Sequence, residues 1–229
     1  MIFHYVSNDS CSNATGVVIV IDVIRAFSNA AYAFSVGAQS ITLVSGVDEA
    51  LALREQIPGA LVMGEVDGMP PKGFDFGNSP TEILRQDLRG RHLIQRTGAG
   101  TQGAVRSFNA ERLFAASFAV AEATVCAVRA LSPGQVTFVI TGRDFYGEDR
   151  ACAEYLEARL NGETPDPRPY LDRALNANEI RFMPPEIFPD IASDLDYCTR
   201  LDSCPFAMPI ARENGRLVMR PVPSEFIPS

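Results

Sequence analysis

Residues 16–37 read GVVIVIDVIRAFSNAAYAFSVG, and the change of rhythm inside them decides the fold class. Val17 to Ile21 are consecutive β-branched apolar residues, the composition of a strand buried on both faces. Asp22 closes the run. From Arg25 to Gly37 small and aromatic residues recur at helical spacing, so the stretch predicts a strand feeding directly into a helix. The figure repeats along the chain. Ile41 to Val44 precedes an acidic-start helix over Val47 to Gln56, Ala60 to Met63 follows a Pro-Gly break, and His92 to Gln95 leads into a Gly-rich stretch. Arg112 to Ala116 precedes an Ala-rich helix from Phe118 to Leu131, and Val136 to Thr141 precedes another from Glu148 to Leu160. This alternation predicts an α/β fold with a largely parallel sheet.

After Gly162 the character changes. Prolines at 165, 167, 169, 184, 185 and 189 separate short acidic helix fragments, and Ala207 to Ile210 reads as one arm of a hairpin with Leu217 to Arg220 across Asn214-Gly215. We expect residues 1–162 to form the core that carries the motifs, with 163–229 packed on it as helices and a hairpin. A chain of 229 residues buries enough surface to need neither disulfides nor structural metal. With 20 basic against 28 acidic residues and a net charge of -8, nucleic acid and anionic membrane are poor partners. The longest apolar run, Gly16 to Ile21, is too short for a bilayer. Five cysteines without a C-x-x-C pair predict a reduced, cytoplasmic protein. His4 and His92 lack zinc-ligand spacing.

Ligands of parallel α/β sheets bind beyond the carboxyl ends of the strands. Those ends carry Asp22 and Arg25; Gly64, Glu65 and Asp67; Arg96-Thr97-Gly98-Ala99-Gly100-Thr101; and Gly142-Arg143-Asp144 with Glu148-Asp149 beyond. Carboxylates and arginines thus alternate along one expected edge. Mg²⁺ takes one or two carboxylates together with phosphate oxygens and water, and arginine offers a fork to the remaining oxygens, so the set suits a divalent cation holding a phosphate. Singly, Asp22 also fits a helix cap, and Arg96 and Arg143 also fit surface ion pairs. Gly98 to Gly103 reads as a backbone cradle for an anion, but its spacing is not that of a Walker A loop, and no acidic residue ends a strand where a dinucleotide site requires one. The loop Gly64 to Glu82, GEVDGMPPKGFDFGNSPTE, ends in a helix start: Ser79 as cap, Pro80 at the first position, Glu82 three residues after the cap.

The run VIVIDVIRAFSNAAYAFSVGA, the loop GEVDGMPPKGFDFGNSPTE and the segments RTGAGTQGA, SFAVAEATVCAV and EDRACAEYL resemble, in order from about residue 15 to 160, the ComB-type 2-phosphosulfolactate phosphatases. A looser echo covers Leu201 to Val222. The resemblance implies a three-layer α/β/α fold with a largely parallel or mixed sheet, a homodimer, and a Mg²⁺-dependent phosphatase that cleaves the phosphate ester of a sulfonated 2-hydroxy acid in the coenzyme M route or a related sulfolactate pathway. Carried over by motif, it marks Asp22 and Arg25, Glu65 and Gly68, Asp75 with Gly77, Asn78 and Ser79, Thr97 and Thr101, and the pair Glu148 and Asp149. Ala99 departs from the family pattern, which has an asparagine in that segment.

In this reading Asp22 and Glu65 hold Mg²⁺ directly or through water, with Asp144, Glu148 and Asp149 as further metal candidates. Arg25 and Arg96 stabilise the phosphoryl oxygens. Asn78, Ser79, Thr97, Gly98, Gly100 and Thr101 line the substrate, and Lys72 or Arg143 reaches its sulfonate or carboxylate. Water and a carboxylate both remain open as the attacking group, with no D-x-D arrangement around Asp22 to favour the second. Two other classes fit parts of the pattern. A phosphatase or phosphotransferase for another small phosphorylated acid needs the same carboxylates, whereas a non-catalytic binder of an anionic metabolite needs only the arginines and glycines.

Overall fold

The computed structural model describes residues 1–142, 145, 147–177 and 186–227. Among them the strands are β1 (Ile2–Ser7), β2 (Gly16–Ile21), β3 (Ser40–Leu43), β4 (Leu61–Gly64), β5 (His92–Arg96), β6 (Ala110–Ala116), β7 (Gln135–Ile140), β8 (Phe206–Glu213), β9 (Arg216–Met219) and β10 (Val222–Pro223). The helices are α1 (Ala26–Ser35), α2 (Val47–Gln56), α3 (Pro80–Ile83), α4 (Gly100–Arg106), α5 (Ala121–Ala130), α6 (Glu148–Leu160), α7 (Arg168–Ala177) and α8 (Ile191–Cys198). β1 is the strand that the hydrophobic pattern does not announce. It lies at the edge of the sheet, half-exposed, and its sequence IFHYVS carries no long apolar run.

The sheet runs β1-β7-β2-β6-β8-β9-β3-β5-β4, with β10 added to β8. β1, β7, β2 and β6 pair in parallel, as do β3, β5 and β4. The terminal hairpin β8–β9 joins these halves through antiparallel pairings on each side. Its turn is Asn214-Gly215, both residues at positive φ (50° and 77°), which is the backbone a two-residue hairpin turn requires.

The sheet is therefore mixed. Along β2, Val18 and Val20 enter a core formed with Phe27, Ala30 and Ala31 of α1 and Ala104 of α4, while Val17, Ile19 and Ile21 enter one formed with Val125 and Val128 of α5 and Leu156 of α6. α2 covers Val62 and Ile94 of the other half. Helices thus lie on both faces, giving the three-layer α/β/α fold.

Three antiparallel steps separate β6 from β3, so β3, β5 and β4 run opposite to β2. This corrects the expectation that all the strand ends share one edge. The ends still meet at one corner, although five steps of the sheet separate β2 from β5. Contacts across that corner are direct: Gln95 Nε2 at the end of β5 donates to the Ala26 carbonyl at the start of α1, at 2.9 Å.

Candidate active site

The first carboxylate follows from the β2–α1 junction. Asp22 is buried, and its Oδ1 accepts the Ala26 N–H at 2.9 Å, so the residue caps the helix that it precedes. A second N–H comes from Gly100. Gly100 has to be glycine here: a Cβ would stand 2.7 Å from Asp22 Oδ2. Burial, then the charges of Asp149 and Glu65, push the Asp22 carboxyl up from 3.8 to about 7.

Asp149, buried at the start of α6, ties β2 to β7. Its Oδ1 accepts from Val23 N at 2.8 Å, and its Oδ2 from Gly142 N at 2.8 Å and Thr141 Oγ1 at 3.1 Å. Burial, followed by the neighbouring Glu148 charge, pushes it also to about 7. Glu148 is buried beside it.

Glu65 follows Gly64, whose φ of +136° and contact with the Arg96 backbone leave no space for a side chain. Glu65 Oε2 accepts from Gly68 N at 2.7 Å and Oε1 from Gly98 N at 2.5 Å, so the carboxylate clamps two loops together. Arg96 braces the same corner, donating to the Glu65 carbonyl at 2.6 Å and to the Ser45 carbonyl at 3.2 Å.

The Gly-rich segment departs from the cradle that its sequence suggests. The Gly98 and Gly100 N–H groups serve Glu65 and Asp22, while Thr101 N donates to Thr97 Oγ1 at 3.1 Å and Thr97 N to Thr101 Oγ1 at 2.8 Å. These amides bind the chain's own oxygens, and both threonines are buried in a reciprocal pair.

Arg25 is buried, with Nη1 2.9 Å from Asp194 Oδ2 and its guanidinium 5.9 Å from the Phe188 ring centroid. Ser79 caps α3, its Oγ accepting from Glu82 N at 3.1 Å while donating to Asp194 Oδ1 at 2.8 Å. Asn78 is buried, and its Oδ1 has no hydrogen-bond partner among the described residues. Lys72 is exposed; the adjacent Gly73 carbonyl accepts from Arg54 of α2 at 2.6 Å, and no hydrogen bond or ion pair joins Lys72 to the carboxylates among the described residues. Asp75 accepts from Val62 N at 2.8 Å and shapes the returning loop. Arg143 and Asp144 lie outside the described residues.

Asp22, Glu65 and Asp149 thus share one electrostatic neighbourhood, with Gly98 and Gly100 between them. Among the described residues no group of three or more His, Cys, Asp or Glu side chains forms a ready metal cage. A hard cation held by one or two carboxylates and water still fits the donors, all of them oxygens, and would offset the like charge that adds to burial in raising Asp22 and Asp149.

Two residues at this corner carry no motif. Asn8, just beyond β1, donates to the Ala99 carbonyl at 3.2 Å. Asp194 is legible only as a carboxylate on the apolar stripe Ile191, Leu195 and Cys198 of α8, where a solvated acid has no place.

Among the described residues no helix is long and apolar enough to cross a membrane. Residues 4–213 match the family model described as 2-phosphosulpholactate phosphatase. A probable 2-phosphosulfolactate phosphatase of Carboxydothermus hydrogenoformans is 33% identical over 217 residues, covering 88% of this chain and 89% of that protein. Another of the same description, from Bacillus subtilis, is 39% identical over 145 residues, 63% of this chain and 64% of the relative's length. The chain belongs to the 2-phosphosulfolactate phosphatase family, whose name denotes phosphoric monoester hydrolases.

Proposed function

We propose that this protein hydrolyses 2-phosphosulfolactate to sulfolactate and phosphate with the help of Mg²⁺. The observation that carries the reading is the meeting of Asp22 and Glu65 across Gly98 and Gly100, on strands from opposite halves of the sheet. Asp22, and Glu65 directly or through water, would hold the cation. When bound, Mg²⁺ offsets phosphate charge and polarises the ester bond. Arg25 presents a guanidinium fixed on one side by Asp194, and its other N–H groups, without a hydrogen-bond partner among the described residues, would meet phosphoryl oxygens. The buried Asn78 Oδ1 stands as an acceptor for a donor that none of the described residues supplies. Asp149 and Arg96 keep the strand ends in place.

Phosphate release from 2-phosphosulfolactate, phospholactate and phosphoglycerate, with and without Mg²⁺, tests the proposal. We expect the sulfonated ester to be preferred and release to vanish without the cation. Equal turnover of all three esters would leave only a general phosphatase, and no release from any would leave a binder. Asp22→Ala and Glu65→Ala should each abolish Mg²⁺-dependent turnover in a folded protein. Five free cysteines support a reducing, cytoplasmic setting, with a place in sulfolactate or coenzyme M metabolism. The homodimer that the family resemblance implies is checked by sedimentation.

A further inference from the structure

We infer that Asp194 is the positioning residue that holds Arg25 in the active site, so that the segment after the α/β core completes the catalytic machinery. The inference rests on the proposed role of Arg25 toward the phosphoryl oxygens. Asp194 is fully buried, and among the described residues every hydrogen bond of its side chain goes to a residue of the motif region. One oxygen takes Arg25 Nη1 at 2.9 Å. The other takes Ser79 Oγ at 2.8 Å and Thr81 N at 2.9 Å. A single carboxylate therefore joins the arginine of the β2–α1 turn to the capped start of α3.

The helix bearing it is braced at that spot. Thr81 Oγ1 donates to Ser193 Oγ at 3.1 Å, and Arg85 pairs with Asp190 at 2.9 Å. Phe188 lies below the Arg25 guanidinium. A buried arginine without a counter-charge swings toward any available acceptor, and the carboxylate nearest by chain is Asp22. Asp194 prevents that by taking one edge of the guanidinium. The remaining N–H groups then stay aimed at a phosphoryl group rather than collapsing onto Asp22. A buried carboxylate with three donors is a rigid anchor.

The test measures kcat and KM with 2-phosphosulfolactate and Mg²⁺ for the full chain and its Arg25→Ala, Asp194→Asn, Asp194→Glu and Arg25→Ala/Asp194→Asn variants, with added guanidinium ion as a rescue probe. Misplacing Arg25 should lower kcat by about 10²-fold in Asp194→Asn, with KM changing far less. Guanidinium should restore turnover in Arg25→Ala and fail to do so in the double variant, because the anchor for the free ion is gone. The double variant should be no slower than Arg25→Ala. Asp194→Glu keeps the charge if the asparagine variant folds poorly, and its longer side chain should still lower kcat by about 10-fold or more. Wild-type kcat in either Asp194 variant beside an inactive Arg25→Ala overturns the inference and spares the site. Additive losses with equal guanidinium rescue in both backgrounds also overturn it, reducing Asp194 to a structural cap. Wild-type turnover in Arg25→Ala removes the site reading itself.

Discussion

At Gly100 a single hydrogen atom in place of a methyl group decides whether two halves of the sheet can meet. A Cβ there would stand 2.7 Å from Asp22 Oδ2 and 3.0 Å from the Ala26 Cβ, both held firmly by the α1 cap. At Gly98 the corresponding position is 3.2 Å from Glu65 Oε1, the end of a flexible side chain. Gly100→Ala should therefore cost about 1–3 kcal/mol of stability through overpacking and lower phosphate release at least tenfold, with Gly98→Ala milder on both counts. Urea midpoints and initial rates compare the pair, and equal losses would show that the approach at Gly100 is not critical. The residue scale also marks a limit of sequence reading. Asp22, Glu65 and Asp149 announce themselves because each follows an apolar strand or opens a helix. Asp194 is marked only by its place on the apolar stripe of a short helix that carries other carboxylates, and nothing local names α3 as the element packed against it.

Elements of the first two thirds were legible because strands buried on both faces are unbroken apolar runs and their helices are periodic. Strand direction was not. The hydrophobic pattern is the same whichever way a strand runs, so nothing in Ser40–Leu43 or His92–Arg96 says that they oppose Gly16–Ile21. That follows only from where the hairpin Phe206–Met219 inserts, between β6 and β3. The hairpin itself was legible through Asn214-Gly215. Gly215 sits at φ +77° with open space around it, so Gly215→Ala carries a backbone penalty alone, about 1 kcal/mol. We expect a lower urea midpoint with unchanged turnover per folded molecule. A midpoint equal to that of the parent would mean that the turn tolerates a side chain and does not set the register that joins the halves.

The molecule as a whole gathers carboxylates from distant elements into a buried corner, and this couples its stability to pH and to cations. Burial raises Asp22 and Asp149 from 3.8 to about 7, with the charges of Asp149 and Glu65 adding to it at Asp22 and that of Glu148 at Asp149. In that window the folded protein holds protons that the unfolded chain has released. Stability from this source is full below pH 3.8 and is lost as the pH rises through about 7, opposite in sign to an ion-paired carboxylate. A cation that binds only the folded corner restores what deprotonation removes, by mass action. Urea midpoints without divalent cation should thus fall between pH 4 and 8. Added Mg²⁺ should raise them most at the alkaline end, where the carboxylates are charged and no proton competes. Asp22→Asn should flatten the pH slope, because it removes one titrating group, and should reduce the Mg²⁺ response together with turnover. A pH slope of unchanged steepness in Asp22→Asn would place the titrating groups elsewhere. A Mg²⁺ response that survives in the same variant would remove Asp22 from the cation's ligands while leaving the fold, and the meeting of its two halves, as described.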